Sequence, residues 1–142
     1  MSSKHQRVTA MVEQFREGKL DPHYTGYFDL FNRQKYFEAH DVLEHIWLPD
    51  RHAPNGAFYK GLIQLAGAFV HLQRNRLRPS AALFKLALAN LEKYPPRYES
   101  LNLAKVRPLI QEWLGSLEAA RFEKNPFTGG NALQLTLELP HR

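Results

Sequence analysis

The chain has 142 residues, of which 44% are hydrophobic and 23% charged, a balance typical of one globular domain that is long enough to bury its own core. It contains no cysteine, which excludes disulfides, thiolate metal sites and thiol catalysis and favours a reducing compartment. The net charge of +5 arises in residues 73–142, because acidic and basic side chains cancel in residues 1–72.

The cellular location of the protein is predicted from the length and composition of its apolar segments. Residues 1–15 hold no apolar run typical of a secretory signal. The most apolar stretch, 61–72, is interrupted by Gln64 and His71 and is shorter than the roughly 18–20 apolar residues that a membrane span needs. We therefore predict a cytoplasmic protein without a membrane partner.

Apolar residues recur at helical spacing along most of the chain. This periodicity predicts helices over 4–17, 24–32, 36–48, 57–73, 80–94 and 108–122. A very short turn at 33–35 joins the second and third of these helices. Pro49 and the proline pair at 95–96 mark helix ends, because proline disfavours helix at the residue before it.

Together these segments predict an all-α fold. We expect one domain over residues 1–142, built as a compact bundle of five to six helices. A faint internal similarity, offset by 42 residues, indicates a helix–turn–helix, repeat-like core within 24–94. The segment 125–142 is expected to be extended.

The C-terminal segment differs from the rest of the chain. Residues 131–139 alternate strictly, with leucine at 133, 135, 137 and 139 and polar residues between them. This is the period of a half-buried strand, yet no second strand is visible in the sequence. The segment either crosses the helices or pairs with another copy of the chain, and the second alternative predicts a homodimer.

Ligand-type side chains are concentrated on two of the predicted helices. His40 and Glu44 are one turn apart and share a face, whereas Asp41 and His45 form a second pair that we expect to face solvent. On the next helix, two turns separate Gln64 from His71. If the two faces meet, they form a polar pocket in which three metal ligands are available, namely His40, Glu44 and His71.

A structural role for the same histidines is the competing interpretation. A histidine on a mostly apolar helix is often a core residue that is hydrogen-bonded to a carboxylate or a tyrosine. His40 would then pair with Glu44, and His71 with Tyr59 or Tyr36, and these pairs would fix the helix register.

The motif FNRQKYFEAHDVLEHIW at 31–47, followed by FYKGLIQLA at 58–66 and by His71, resembles the prokaryotic domain of unknown function 309 family. The likeness extends over roughly residues 27–91. It implies an all-helical bundle from bacteria or archaea and supplies no activity. It singles out as pocket residues Glu38, His40, Glu44, Trp47, Tyr59, Gln64 and His71. Gln34 stands where the family's turn commonly has glycine, and a left-handed conformation there would cost up to about 1 kcal/mol.

Three functions are compatible with these residues, and we favour the first. It is a binding module whose pocket accepts a small polar ligand or a partner peptide. The second is a metal-dependent enzyme, such as a hydrolase, with the His40, Glu44 and His71 set as ligands and Glu38 or Tyr59 assisting proton transfer. The third is a nucleic-acid-associated protein that uses a basic tract. That tract comprises Arg74, Arg76, Arg78, Lys85, Lys93, Arg97, Lys105 and Arg107.

Overall fold

The computed structural model describes Val8 and residues 20–139, and this part of the chain is all-helical, as predicted. The elements are α1 (Pro22–Asn32), α2 (Tyr36–Trp47), α3 (Gly56–Gln73), α4 (Leu77–Leu91), a hairpin of β1 (Arg97–Tyr98) and β2 (Leu101–Asn102), and α5 (Leu103–Ala119). The helix predicted over 4–17 lies outside the described residues, except for Val8, which is helical and fully buried. No helix in the described residues is long and apolar enough to cross a membrane.

The two helical hairpins, α1–α2 and α3–α4, have turns of the same type. In the first hairpin Gln34 has φ +62°, and in the second Asn75 has φ +55°. The residue after each donates its backbone N–H to the carbonyl five positions earlier, from Lys35 to Leu30 and from Arg76 to His71. This is the Schellman arrangement, in which a left-handed residue ends a helix. The left-handed conformation considered for Gln34 is therefore present.

The start of the last helix was predicted wrongly, because α5 begins at Leu103 and carries Pro108 in its interior. The Asn102 side chain caps the helix by accepting a hydrogen bond from the Lys105 N–H at 3.2 Å. Proline removes the bond that would reach the carbonyl of Ala104. Since Ala104 and Pro108 are both exposed, that carbonyl lies on the solvent side of the helix.

The core is centred on α3, which packs against α2 on one side and α4 on the other. Helix α4 approaches closely, because a Cβ added at Gly61 would lie 3.0 Å from the Leu91 side chain. The apolar stripe of α3 is buried throughout and consists of Phe58, Leu62, Leu65, Phe69 and Leu72. Two leucines fall on helical apolar positions but face solvent: Leu86 is 51% exposed and Leu109 is 36% exposed.

The C-terminal segment lies extended across the helices, which is the first of the two predicted alternatives. Leu133 and Leu135 are buried. The side-chain amide of Asn32 donates to the Leu135 carbonyl at 2.7 Å and accepts from the Leu135 N–H at 2.8 Å, as a neighbouring strand would. Further on, Leu137 forms an antiparallel bridge with Leu101 of β2. The expectation that the chain holds no partner strand was therefore wrong.

Candidate functional site: a cavity along the central helix

A surface cavity of about 270 Å³ lies along α3, between α2 and α4. Five of its lining residues recur every three or four positions on α3: Lys60, Gln64, Gly67, His71 and Arg74. This spacing places them on a single stripe of the helix. The stripe is polar or small, in contrast to the apolar stripe that α3 buries in the core.

The remaining lining residues make the cavity amphipathic. Helix α2 contributes Phe37 and His40, α4 contributes Leu83, and α3 adds Ile63 and Val70. Apolar side chains therefore surround a line of polar ones. The Phe37 side chain is 48% exposed, which is unusual for so large an apolar group.

His71 is the least satisfied polar residue of the cavity. Its Nδ1 atom is buried and has no hydrogen-bond partner among the described residues. Burial lowers the pKa of His71 below its usual range, and the positive charges of Arg76 and Arg74 lower that pKa further. The ring is therefore neutral at pH 7. The predicted structural pairing of His71 with Tyr36 or Tyr59 is wrong. The buried Tyr36 hydroxyl also has no hydrogen-bond partner among the described residues, and Tyr59 lies more than three turns from His71 on the same helix.

Two cationic side chains border the cavity, and they differ in their contacts. The Lys60 ammonium lies over the Trp47 ring, 4.4 Å from its centroid, in a cation–π contact. Arg74 is exposed, and within the described residues its guanidinium forms neither a hydrogen bond nor an ion pair. Positive charge therefore remains available at this end of the cavity.

Gln64 is held in place by α4. Its Oε1 atom accepts a hydrogen bond from Asn90 Nδ2 at 2.7 Å, and Asn90 Oδ1 in turn accepts from Lys93 Nζ at 3.1 Å. The orientation of the Gln64 amide is thus set by a side chain outside the cavity.

His40 connects the cavity to two carboxylates. Its Nδ1 atom lies 3.4 Å from Asp41 Oδ1, and its Nε2 atom lies 3.9 Å from Glu44 Oε2. One ligand atom from each of these three residues lies within 4.8 Å of the others, close enough to hold a metal ion. Asp41 is only 3% exposed, so the prediction that it faces solvent with His45 is wrong.

The predicted site residues are thus divided between several places. The structure brings His40, Gln64 and His71 together in the cavity, and Glu44 lies beside His40 without lining the cavity. His71 does not belong to the group around His40 that could share a metal ion. The other predicted residues lie apart from the cavity: Glu38, Trp47 and Tyr59.

Each of those three has other surroundings. Glu38 is in the first turn of α2, where a carboxylate interacts favourably with the helix dipole. Trp47 contacts the cavity indirectly, through the Lys60 ammonium. Tyr59 packs beside Tyr24 and Phe58 at the opposite end of α1 from the turn, and burial raises its pKa.

The sequence also places Lys60 on the line of Gln64 and His71, and the structure has all three in the lining. Apart from the apolar lining residues, sequence reasoning missed Phe37, Gly67 and Arg74 as cavity residues. The period of α3 is the signal that could have found two of them, because Gln64 and His71 already define the stripe on which Gly67 and Arg74 fall. Phe37 could not have been found in this way, since its exposure depends on how α2 packs.

The comparisons concern the same helices. Residues 24–83 match the family model described as Domain of unknown function (DUF309), and every helix that lines the cavity lies wholly or partly within this range. The match covers 60 of the 142 residues, so this part of the chain is similar to the DUF309 domain. An uncharacterized protein from Aquifex aeolicus (strain VF5) is 27% identical over 88 residues, which are 62% of this chain and 26% of that protein. The match thus spans about a quarter of the relative's length. No solved structure gives a significant match.

The basic tract begins with Arg74, at the end of the polar stripe of α3, and extends beyond the matched residues. Six of its members have partners within the protein: Arg78 lies over the Phe122 ring, Lys85 pairs with Glu118, Lys93 with Asn90, Arg97 and Lys105 with Glu138, and Arg107 with the carbonyls of Leu91 and Tyr94. Among the described residues, Arg74 and Arg76 are the members without such a partner. Most of the tract therefore makes intramolecular contacts.

Proposed function

We propose that the domain is a binding module and that the cavity along α3 is its ligand site. The observation that carries the proposal is the convergence of His40, Gln64 and His71 with Lys60 and Arg74 around apolar side chains. A concave surface that combines apolar lining with a few convergent polar groups is the usual form of a small-molecule site.

The size of the cavity favours a small ligand. Its volume of about 270 Å³ falls just below the range of about 300–1,000 Å³ that is typical of sites for drug-sized molecules. Because the polar groups stand on packed helices, their positions are set before a ligand arrives, which reduces the entropy cost of binding.

A fragment screen followed by ¹⁵N–¹H correlation spectra tests this proposal. We expect some neutral or charged fragments to shift the backbone amides of Phe37, Gly67 and His71 while the amides of α5 stay unchanged. Leu83→Trp, which fills the cavity, should abolish these shifts, and Leu86→Trp on the exposed face of α4 should preserve them. A screen in which no fragment shifts the cavity amides would overturn the proposal.

A metal-dependent function is the second candidate, and the grouping of His40, Asp41 and Glu44 favours it. Imidazole and carboxylate are ligands that zinc and related ions accept. Asp41, whose Oδ1 atom lies 3.4 Å from the Nδ1 atom of His40, would be the third ligand beside His40 and Glu44. The ion would then lie beside the cavity, where a bound ligand could reach it.

Calorimetric titration of the protein with Zn²⁺ separates this candidate from the metal set predicted from the sequence. If the group around His40 holds the ion, Glu44→Gln should weaken binding at least tenfold and His71→Ala should leave it unchanged. Equal loss in both variants would support the His40, Glu44 and His71 set instead. Absence of binding by the unmodified protein would overturn both.

Location and self-association complete the proposal. We retain the cytoplasm as the proposed location, on the basis of the cysteine-free sequence. The homodimer also stays a prediction, although its original basis has changed because the C-terminal segment now has partners in its own chain. Sedimentation equilibrium of the full chain tests it.

A further inference from the structure

We infer that the cavity along α3 takes a small organic anion, a carboxylate or a phosphate monoester that carries an apolar body. The inference rests on the proposed function, because it specifies the ligand class of the same cavity. Its basis is the distribution of charge and apolar surface along the lining.

The lining carries positive charge without a carboxylate of its own. Lys60 and Arg74 are the cationic side chains of the lining, and no described Asp or Glu side chain belongs to it. Asp41 and Glu44 lie against the two nitrogens of the His40 ring rather than in the lining. An anionic group is therefore the complement that the lining lacks.

Arg74 is the cation best placed to bind this group. Lys60 already contacts the Trp47 ring, whereas the Arg74 guanidinium has no hydrogen bond or ion pair within the described residues. A guanidinium presents several N–H donors in a planar fork that matches a carboxylate or a phosphate.

His71 supplies a donor beside that guanidinium. Its Nδ1 atom is buried and unpartnered, which leaves Nε2 as the ring nitrogen that can face the cavity. In the neutral Nε2–H tautomer the ring donates a hydrogen bond without requiring a buried positive charge. Arg74 and His71 are three residues apart on α3, so they lie on the same side of the helix.

The apolar side chains of the cavity account for the rest of the ligand. Phe37, Ile63, Val70 and Leu83 offer a surface on which a short aliphatic or aromatic body would lose its contact with water. An inorganic ion would leave this surface, including the half-exposed Phe37 ring, uncovered.

Four six-carbon probes with different head groups test the inference: hexanoate, hexyl phosphate, hexanol and hexylamine. Chemical-shift titrations at low salt should show both anions binding at least about tenfold more tightly than hexanol, and hexylamine should bind more weakly still. The ratio between hexanoate and hexyl phosphate distinguishes the two kinds of anion.

Arg74→Gln should remove the advantage of the anions over hexanol. Arg76→Gln is the matched control, because Arg76 is also exposed and its charge also acts on His71, but it does not line the cavity. If hexanol binds as tightly as hexanoate, the inference fails and the binding-module proposal survives. If no six-carbon probe binds, or if Arg74→Gln leaves anion binding intact, the inference is also overturned. Arg74-dependent binding of an oligoglutamate peptide or an oligonucleotide, without binding of the hexyl anions, would replace it by a macromolecular partner.

Discussion

Polar side chains are used in opposite ways in two regions of the molecule. In the tail clasp, which we define as the contacts of Asn32 and Gln34 with residues 129–135, side-chain amides bind the backbone of the C-terminal segment. Asn32 contacts both the N–H and the carbonyl of Leu135, and Gln34 Nε2 donates to the Gly129 carbonyl at 2.8 Å. These amides stabilise the fold directly.

The cavity along α3 leaves comparable groups unpaired. Within the described residues, His71 Nδ1 is buried without a hydrogen-bond partner, and the Arg74 guanidinium has neither a hydrogen bond nor an ion pair. An unpaired buried polar group costs about 1–3 kcal/mol, so the cavity lowers stability where the tail clasp raises it. Lower stability of this kind is typical of binding sites, and an anionic ligand would supply the partner that Arg74 lacks.

The largest effect on stability is expected from breaking the tail clasp. Asn32→Ala removes two hydrogen bonds and releases the backbone of the buried Leu135, so the free energy of unfolding should fall by about 2–3 kcal/mol. Urea denaturation measures this loss. The control is Gln134→Ala, because Gln134 is exposed and makes one bond of 3.2 Å to the Asn32 carbonyl. Equal losses in the two variants would contradict the role assigned to the Asn32 amide.

A smaller effect separates paired from unpaired hydroxyls in the core. The Tyr27 hydroxyl donates to the Leu62 carbonyl at 2.6 Å, whereas the buried Tyr36 hydroxyl has no hydrogen-bond partner in the described part of the chain. Tyr27→Phe should lower the free energy of unfolding by about 1 kcal/mol, and Tyr36→Phe should leave it unchanged or raise it slightly. Thermal unfolding of both variants checks the difference, and a loss in Tyr36→Phe as large as that in Tyr27→Phe would contradict it.

The same tyrosine pair also predicts behaviour at alkaline pH. Burial raises the pKa of Tyr36 from 10.0 to about 12. The unfolded chain therefore releases the Tyr36 proton first, and stability should decline as the pH rises from about 10 towards 12. Tyr36→Phe should show a shallower decline in the same denaturation series, and curves that stay parallel would contradict the assignment.

Periodicity predicted most of the helices, because an amphipathic helix carries its own signal in the chain. The tail clasp could not be predicted in this way. In this clasp the backbone of Leu135 binds the side chain of Asn32, which is about a hundred residues away. No local sequence pattern indicates that an asparagine side chain will take the place of a neighbouring strand. The start of α5 was predicted wrongly because proline is usually unfavourable inside a helix. Here Pro108 is tolerated, because the carbonyl of Ala104, which loses its hydrogen bond, is exposed to solvent.

The cavity was predicted in part. The spacing of Gln64 and His71 indicated the stripe of α3 that lines the cavity. The one-turn spacing of His40 and Glu44 indicated the neighbouring face of α2. Which carboxylate is buried was beyond the sequence, because Asp41 and Glu44 differ in burial only through the packing around α2. That packing placed Asp41, rather than His71, in the group around His40.

The pH dependence of stability tests the energetic cost of the unpaired His71 in the cavity. Because the pKa of His71 is lowered in the folded state, the unfolded chain binds the proton more readily, and stability should decrease as the pH falls below about 6.5. His71→Gln should lack this contribution. Denaturation series for both proteins between neutral and mildly acidic pH measure it, and a wild-type curve parallel to that of the variant would show that His71 is not responsible.

The smallest net change in the free energy of unfolding is expected at Gln34, where a stabilising hydrogen bond accompanies an unfavourable backbone conformation. The residue has φ +62°, which disfavours any side chain by about 1 kcal/mol, yet its amide bonds to the Gly129 carbonyl. Gln34→Gly loses the bond and relieves the backbone, so the free energy of unfolding should change by less than about 0.5 kcal/mol. Gln34→Ala loses the bond and keeps the backbone conformation, so it should be about 1 kcal/mol less stable than Gln34→Gly. Both variants retain the bond from Gln73 Nε2 to the carbonyl of residue 34, which makes them a matched pair. Equal stability of the two would mean that the turn adapts to its residue, and that the amide alone explains why glutamine is tolerated there.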